Sequence, residues 1–145
     1  MRVTQPQGVG VLVSGSGTNL QALIDAGIPI AAVATNVAGA PALERAARIG
    51  APTAVFALDD YPDRDARDSA MARWLVERGV DLVVCAGYMH LLRPAFLAHF
   101  PARVVNVHPA LLPAFPGAHA VFFFNDTATT ETGATVHLVD EGVDT

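Results

Sequence analysis

Short apolar runs of strand character alternate along this chain with Ala-rich stretches whose apolar positions recur every three or four residues. Val9–Val13, Ile30–Thr35, Thr53–Phe56, Val80–Ala86 and Arg103–His108 read as strands, and Val136–Val139 as one more. Val80–Ala86 is broken only by Asp81, as expected of a strand covered on both faces. Helices are expected from Thr18, over Pro41–Ile49, over Arg64–Arg78 and from Pro94. In the third, Ala66, Ala70, Met71, Trp74 and Leu75 form one apolar stripe. Alternation of this kind predicts an α/β fold with a mainly parallel central sheet.

One stretch breaks the pattern. Val121-Phe122-Phe123-Phe124 puts three of the 7 Phe side by side, and Asn125-Asp126-Thr127-Ala128-Thr129-Thr130-Glu131 follows as a run of weak helix formers. Three successive Phe on a helix would fan over about 200°, more than one buried face covers. The segment 121–131 therefore fits no predicted element and reads as atypical, like translated adapter sequence of artefactual origin.

The 145 residues suit a single domain with one core. A 52% hydrophobic content with mean hydropathy +0.37 invites a membrane reading. Asp81, His90, Arg93 and His99 interrupt the most apolar stretch, so it falls short of the roughly 18–20 residues a spanning helix needs. Met1 to Gly8 has no apolar core behind a basic cap, so no signal peptide is expected. A net charge of −5 argues against nucleic acid as a partner. All 9 basic residues are arginine, which excludes a Walker loop lysine and a lysine Schiff base. Cys85 is the single cysteine, so no internal disulfide forms, and a reduced, cytoplasmic setting is expected.

Three constellations could carry chemistry. Ser14-Gly15-Ser16-Gly17-Thr18-Asn19-Leu20 joins the first strand to the first helix. Its glycines permit a tight turn, Thr18 or Asn19 can cap the helix, and the positive helix end suits a phosphate. A dinucleotide fits less well, because Leu20 replaces the third glycine and no acid lies between Asp25 and Glu44. A tight turn without a ligand is the plain alternative. In Asn106-Val107-His108-Pro109 the two-residue strand period puts Asn106 and His108 on one face at a strand's carboxyl end. Together an amide and an imidazole can hold an oxygen that gains negative charge; a satisfied buried polar pair is the structural alternative. Acids follow Val136–Val139, and a carboxylate there could reach His108 and favour its imidazolium.

These residues, with Ala86-Gly87-Tyr88-Met89, Ala110-Leu111-Leu112-Pro113-Ala114-Phe115-Pro116-Gly117 and Thr132-Gly133-Ala134-Thr135-Val136-His137, closely resemble the phosphoribosylglycinamide formyltransferase family in order and spacing. The resemblance implies a Rossmann-like open sheet with helices on both faces. It implies formyl transfer from 10-formyltetrahydrofolate to the amine of glycinamide ribonucleotide, without a metal, by a monomer or homodimer. Carried over residue by residue, Gly17, Thr18 and Asn19 hold the phosphate. Arg64, Met89, His90, Leu91, Leu92 and Asn106 line the folate pocket. Asn106, His108 and Asp144 are catalytic, with Asp144 raising the pKa of His108. His90 departs from the longer basic residue common in the family. The chain stops at Thr145, where family members continue, so it is expected to be a C-terminally incomplete single catalytic domain, unstable or inactive alone. A formyltetrahydrofolate deformylase, a transfer RNA formyltransferase and a nucleotide-binding module without chemistry are the competing readings. The deformylase normally carries a regulatory domain for which there is no room before Val9, and the transfer RNA enzyme favours a basic surface.

Overall fold

The computed structural model describes residues 6–108, 121–122 and 135–138. The elements are β1 (Val9–Val13), α1 (Thr18–Asp25), β2 (Ile30–Thr35), α2 (Ala42–Arg48), β3 (Thr53–Val55), α3 (Arg64–Glu77), β4 (Leu82–Cys85), α4 (Pro94–Leu97), β5 (Val104–His108), β6 (Val121–Phe122) and β7 (Thr135–Leu138), with a 3-10 turn at Leu58–Asp60. They form one sheet in the order β3-β2-β1-β4-β5-β7-β6. The pairs from β3 to β5 are all parallel, whereas β7 runs antiparallel to both β5 and β6. The expected Rossmann-like, mainly parallel architecture is present. Among the described residues no helix is long and apolar enough to cross a membrane.

Strand alternation explains the two layers of helices. Val9, Val11 and Val13 point to one face, where they pack with Leu20 and Leu23 of α1 and Ala42 and Ala46 of α2. Leu12, Val83, Cys85 and Val104 point to the other, against Met71, Ala72 and Leu75 of α3 and Phe96 and Leu97 of α4. Both faces of the central strands are covered, which is why their sequences are almost continuously apolar. Gly10 lets α3 approach: a Cβ there would stand 2.9 Å from Val80 Cγ1 and 3.1 Å from Leu75 Cδ2.

Three expectations need correction. The buried stripe of α3 is Arg67, Asp68, Met71, Ala72 and Leu75, while Ala66, Ala70 and Trp74 flank it half-buried. A charged pair that neutralises itself occupies positions that polarity alone assigned to solvent. Neither Thr18 nor Asn19 caps α1; its N-cap is Gly17, with no side-chain cap bond. Within the atypical segment, Val121 and Phe122 are a strand, paired with His137 and Val136 of β7.

Candidate functional site

From β1 the chain winds outward to β3, then returns to lay β4 on the other side of β1. A doubly wound sheet opens a crevice at this reversal, at the carboxyl ends of β1 and β4. The segments that follow these strands form its two walls.

The first wall is the turn from Ser14 to Gly17. The Gly15 carbonyl accepts the Ala42 N–H at 3.1 Å, and the Ser16 carbonyl accepts from Arg45 Nε at 2.7 Å, so α2 holds the turn through its oxygens. Gly17 sits at φ 80°, a left-handed conformation that glycine adopts without a Cβ penalty. The first intrahelical bond runs from the Gln21 N–H to the Gly17 carbonyl. The N–H groups of Thr18, Asn19 and Leu20 therefore have no acceptor within α1, and its positive end is open to an anion. Thr18 is exposed and Asn19 half-buried.

The second wall is the segment Gly87–Arg93. Ser14 joins it to the first: its N–H donates to the Gly87 carbonyl at 3.1 Å, and its Oγ accepts the Met89 N–H at 2.9 Å. The same hydroxyl donates to Asn36 Oδ1 at 2.6 Å, just past the end of β2. Met89 and Leu91 are exposed, at 77% and 57%, while His90 and Leu92 are half-buried. Arg64, expected in the same pocket, is the exposed first residue of α3. The arginine that reaches the segment is Arg67, one turn on, with Nη2 at 3.0 Å from His90 Nδ1. Burial, then the charges of Arg67 and Arg64, hold the His90 imidazole below its ordinary pKa, with Asp68 opposing them in part. Tyr88 stacks edge-on against His90 at 5.9 Å. Burial drives its hydroxyl far up in pKa, and that hydroxyl has no hydrogen-bond partner among the described residues.

β5 supplies the far side. Parallel pairing sets Asn106 opposite Cys85, level with the end of β4, and leaves it half-buried. His108 is the last residue of β5, its backbone paired with Thr135. Asp144 lies outside the described residues, as do Ala110–Gly117. Asn106 and His108 thus share a strand end beside the crevice.

Sequence reasoning missed Arg67, Asp68 and Asn36. Arg67 and Asp68 lie four residues before Met71 and Ala72, so continuing the stripe toward the N-terminus would have found them. Nothing in the local pattern marks Asn36, whose role depends on a contact across 22 residues to Ser14.

The formyl transferase family profile matches residues 8–145. The chain belongs to the formyl transferase family. It is 45% identical over 144 residues to a phosphoribosylglycinamide formyltransferase of Mycobacterium tuberculosis, covering 97% of this chain and 67% of that protein. It is 44% identical to the trifunctional purine biosynthetic protein adenosine-3 of Drosophila pseudoobscura pseudoobscura, covering 94% of this chain but 11% of that protein. Among solved structures, glycinamide ribonucleotide transformylase 1 from Symbiobacterium toebii aligns with TM-score 0.79 and 44% identity, over 94% of this chain and 68% of that one. The chain therefore spans a small part of the trifunctional relatives and about two thirds of the shorter family members.

Proposed function

We propose that the protein transfers a formyl group from 10-formyltetrahydrofolate to the amine of glycinamide ribonucleotide, a step of purine synthesis, in the cytoplasm and on small-molecule substrates alone. The observation that carries this reading is the 45% identity across 97% of the chain to a phosphoribosylglycinamide formyltransferase. The crevice agrees with it, since an open helix end suited to a phosphate faces an exposed apolar segment suited to a pterin.

In this reading Gly17, Thr18 and Asn19 hold the ribonucleotide phosphate. Arg64, Met89, His90, Leu91, Leu92 and Asn106 line the pocket of the formyl donor. The substrate amine attacks the formyl carbon and a C–N bond forms, while the carbonyl oxygen takes up negative charge. Asn106 and His108 donate hydrogen bonds to that oxyanion. Collapse breaks the bond from the formyl carbon to the folate nitrogen, which gains the proton the amine gives up. Asp144 favours the charged imidazole of His108 and assists the proton's movement. Each preorganised donor to the oxyanion is worth about 3–4 kcal/mol.

The test is an assay of the full-length protein with 10-formyltetrahydrofolate, with and without glycinamide ribonucleotide. Turnover that requires both substrates is expected. Formyl release without the amine would make the protein a deformylase, and no turnover of either kind would leave a nucleotide-binding module. His108→Ala and Asp144→Asn should each lower kcat by a factor of roughly a hundred or more while changing the acceptor KM little; equal losses in both would remove the assigned roles.

A further inference from the structure

Arg67 and Asp68 are both fully buried, with Arg67 Nε donating to Asp68 Oδ1 at 2.7 Å. Burial of two charges costs several kcal/mol per ion, and an apolar pair of similar volume generally packs as well or better. Stability alone therefore does not account for this pair. Its remaining bonds go elsewhere: Arg67 Nη1 donates to the Phe56 carbonyl at 3.2 Å, Nη2 meets His90 Nδ1 at 3.0 Å, and Asp68 Oδ2 accepts the Arg93 N–H at 2.8 Å. One neutral unit on α3 thus grips the segment at His90 and at Arg93, while Ser14 grips it at Met89. Between these anchors the apolar side chains of Met89 and Leu91 stand in the open. A backbone fixed from beneath that presents exposed apolar groups is preorganised for a ligand, which then loses less entropy on binding.

We propose that the buried Arg67–Asp68 pair is a positioning device that presents the Met89–Leu92 segment to the formyl donor, and that it grips this segment through a neutral His90. The ligand named here rests on the function proposed above. The requirement for a neutral ring follows from geometry. A guanidinium carries only N–H donors, so Nδ1 must offer its lone pair and the ring proton sits on Nε2. A protonated ring would set N–H against N–H and two cations 3.0 Å apart. Among the described residues, the charged and titratable groups around His90 are Arg64, Arg67 and Asp68 of α3 and Tyr88 of its own segment; Asn36 is neutral, and the atom it sets 3.4 Å from Nε2 is its amide nitrogen Nδ2, so the Nε2–H finds no acceptor there.

The deciding variant is R67M/D68L, which removes both charges together and keeps an apolar filling, so that it folds. The donor KM should rise at least about tenfold with the acceptor KM unchanged. H90L, which leaves the buried pair intact, should raise the donor KM in the same direction. In the unaltered protein the donor KM should increase as the pH falls through the His90 midpoint, and that increase should vanish in H90L. An unchanged donor KM in R67M/D68L would overturn the proposal. Two NMR readouts need no turnover. The His90 ring should titrate below the ordinary histidine value as its Nε2–H tautomer, and exchange of the Arg93 amide should accelerate in R67M/D68L while α1 keeps its protection. A His90 midpoint that is not lowered from the ordinary histidine value, or unchanged Arg93 exchange, defeats the positioning role whatever reaction the protein catalyses. Absence of formyl transfer with both NMR results intact defeats only the function.

Discussion

Gly17 shows how much one residue can carry. It caps α1 at φ 80°, and a Cβ there would stand 2.6 Å from Ala42 Cβ and 2.9 Å from Ala42 Cα. Replacing it with alanine combines left-handed strain with a collision against α2, a cost of about 2–4 kcal/mol. Urea denaturation of Gly17→Ala should show that loss as a lower midpoint, and a shift below about 0.5 kcal/mol would mean that α2 yields to the methyl group. His90 makes the complementary point. As a sequence it is only a shorter basic residue in an unexpected place, yet in the fold it accepts a hydrogen bond from a buried arginine. Its type was legible, but its partner was not, because Arg67 lies 23 residues away.

At the scale of the element, α1 and α3 begin in opposite ways. α3 is closed by its own chain: Asp63 Oδ1 accepts the Ala66 N–H at 2.8 Å, and Asp65 adds negative charge to the first turn. α1 has neither a side-chain cap nor an acid in its first turn. The helix that carries the buried pair is thus finished internally, and the one at the crevice leaves its first N–H groups without an acceptor among the described residues. Asp63→Ala should cost α3 about 1 kcal/mol, seen as a lower Tm; no change would mean that packing through Met71 and Leu75 holds the helix start without its cap. Most element boundaries were readable from period and caps, as with α2, which begins just after Pro41 and ends one residue short of Ile49. The stripe of α3 was not, since the residues that complete it are charged.

At the scale of the molecule, the sheet separates two apolar layers, and Cys85 reports on one of them. Burial pushes its thiol up to about 12, and the side chain lies in the layer under α3 and α4. At neutral pH a thiol reagent should therefore react at least about a thousandfold more slowly than with the unfolded chain, at a rate that rises with urea as global unfolding does. Fast labelling in native buffer would show that β4 opens locally, without loss of the rest of the fold.

The sequence by itself determined the succession of strands and helices, the tight glycine turn after Val13, and the placing of Asn106 and His108 two residues apart at a strand's end. Each of these depends on local period, backbone freedom or helix ends, which neighbouring residues fix among themselves. Tertiary structure alone decided that β1 and β4 lie side by side, that Ser14 joins the two walls of the crevice, and that Arg67 and Asp68 go inside. A charge enters an interior only when its partners are already there to meet it, and those partners, His90, Phe56 and Arg93, come from segments that meet only once the sheet has assembled.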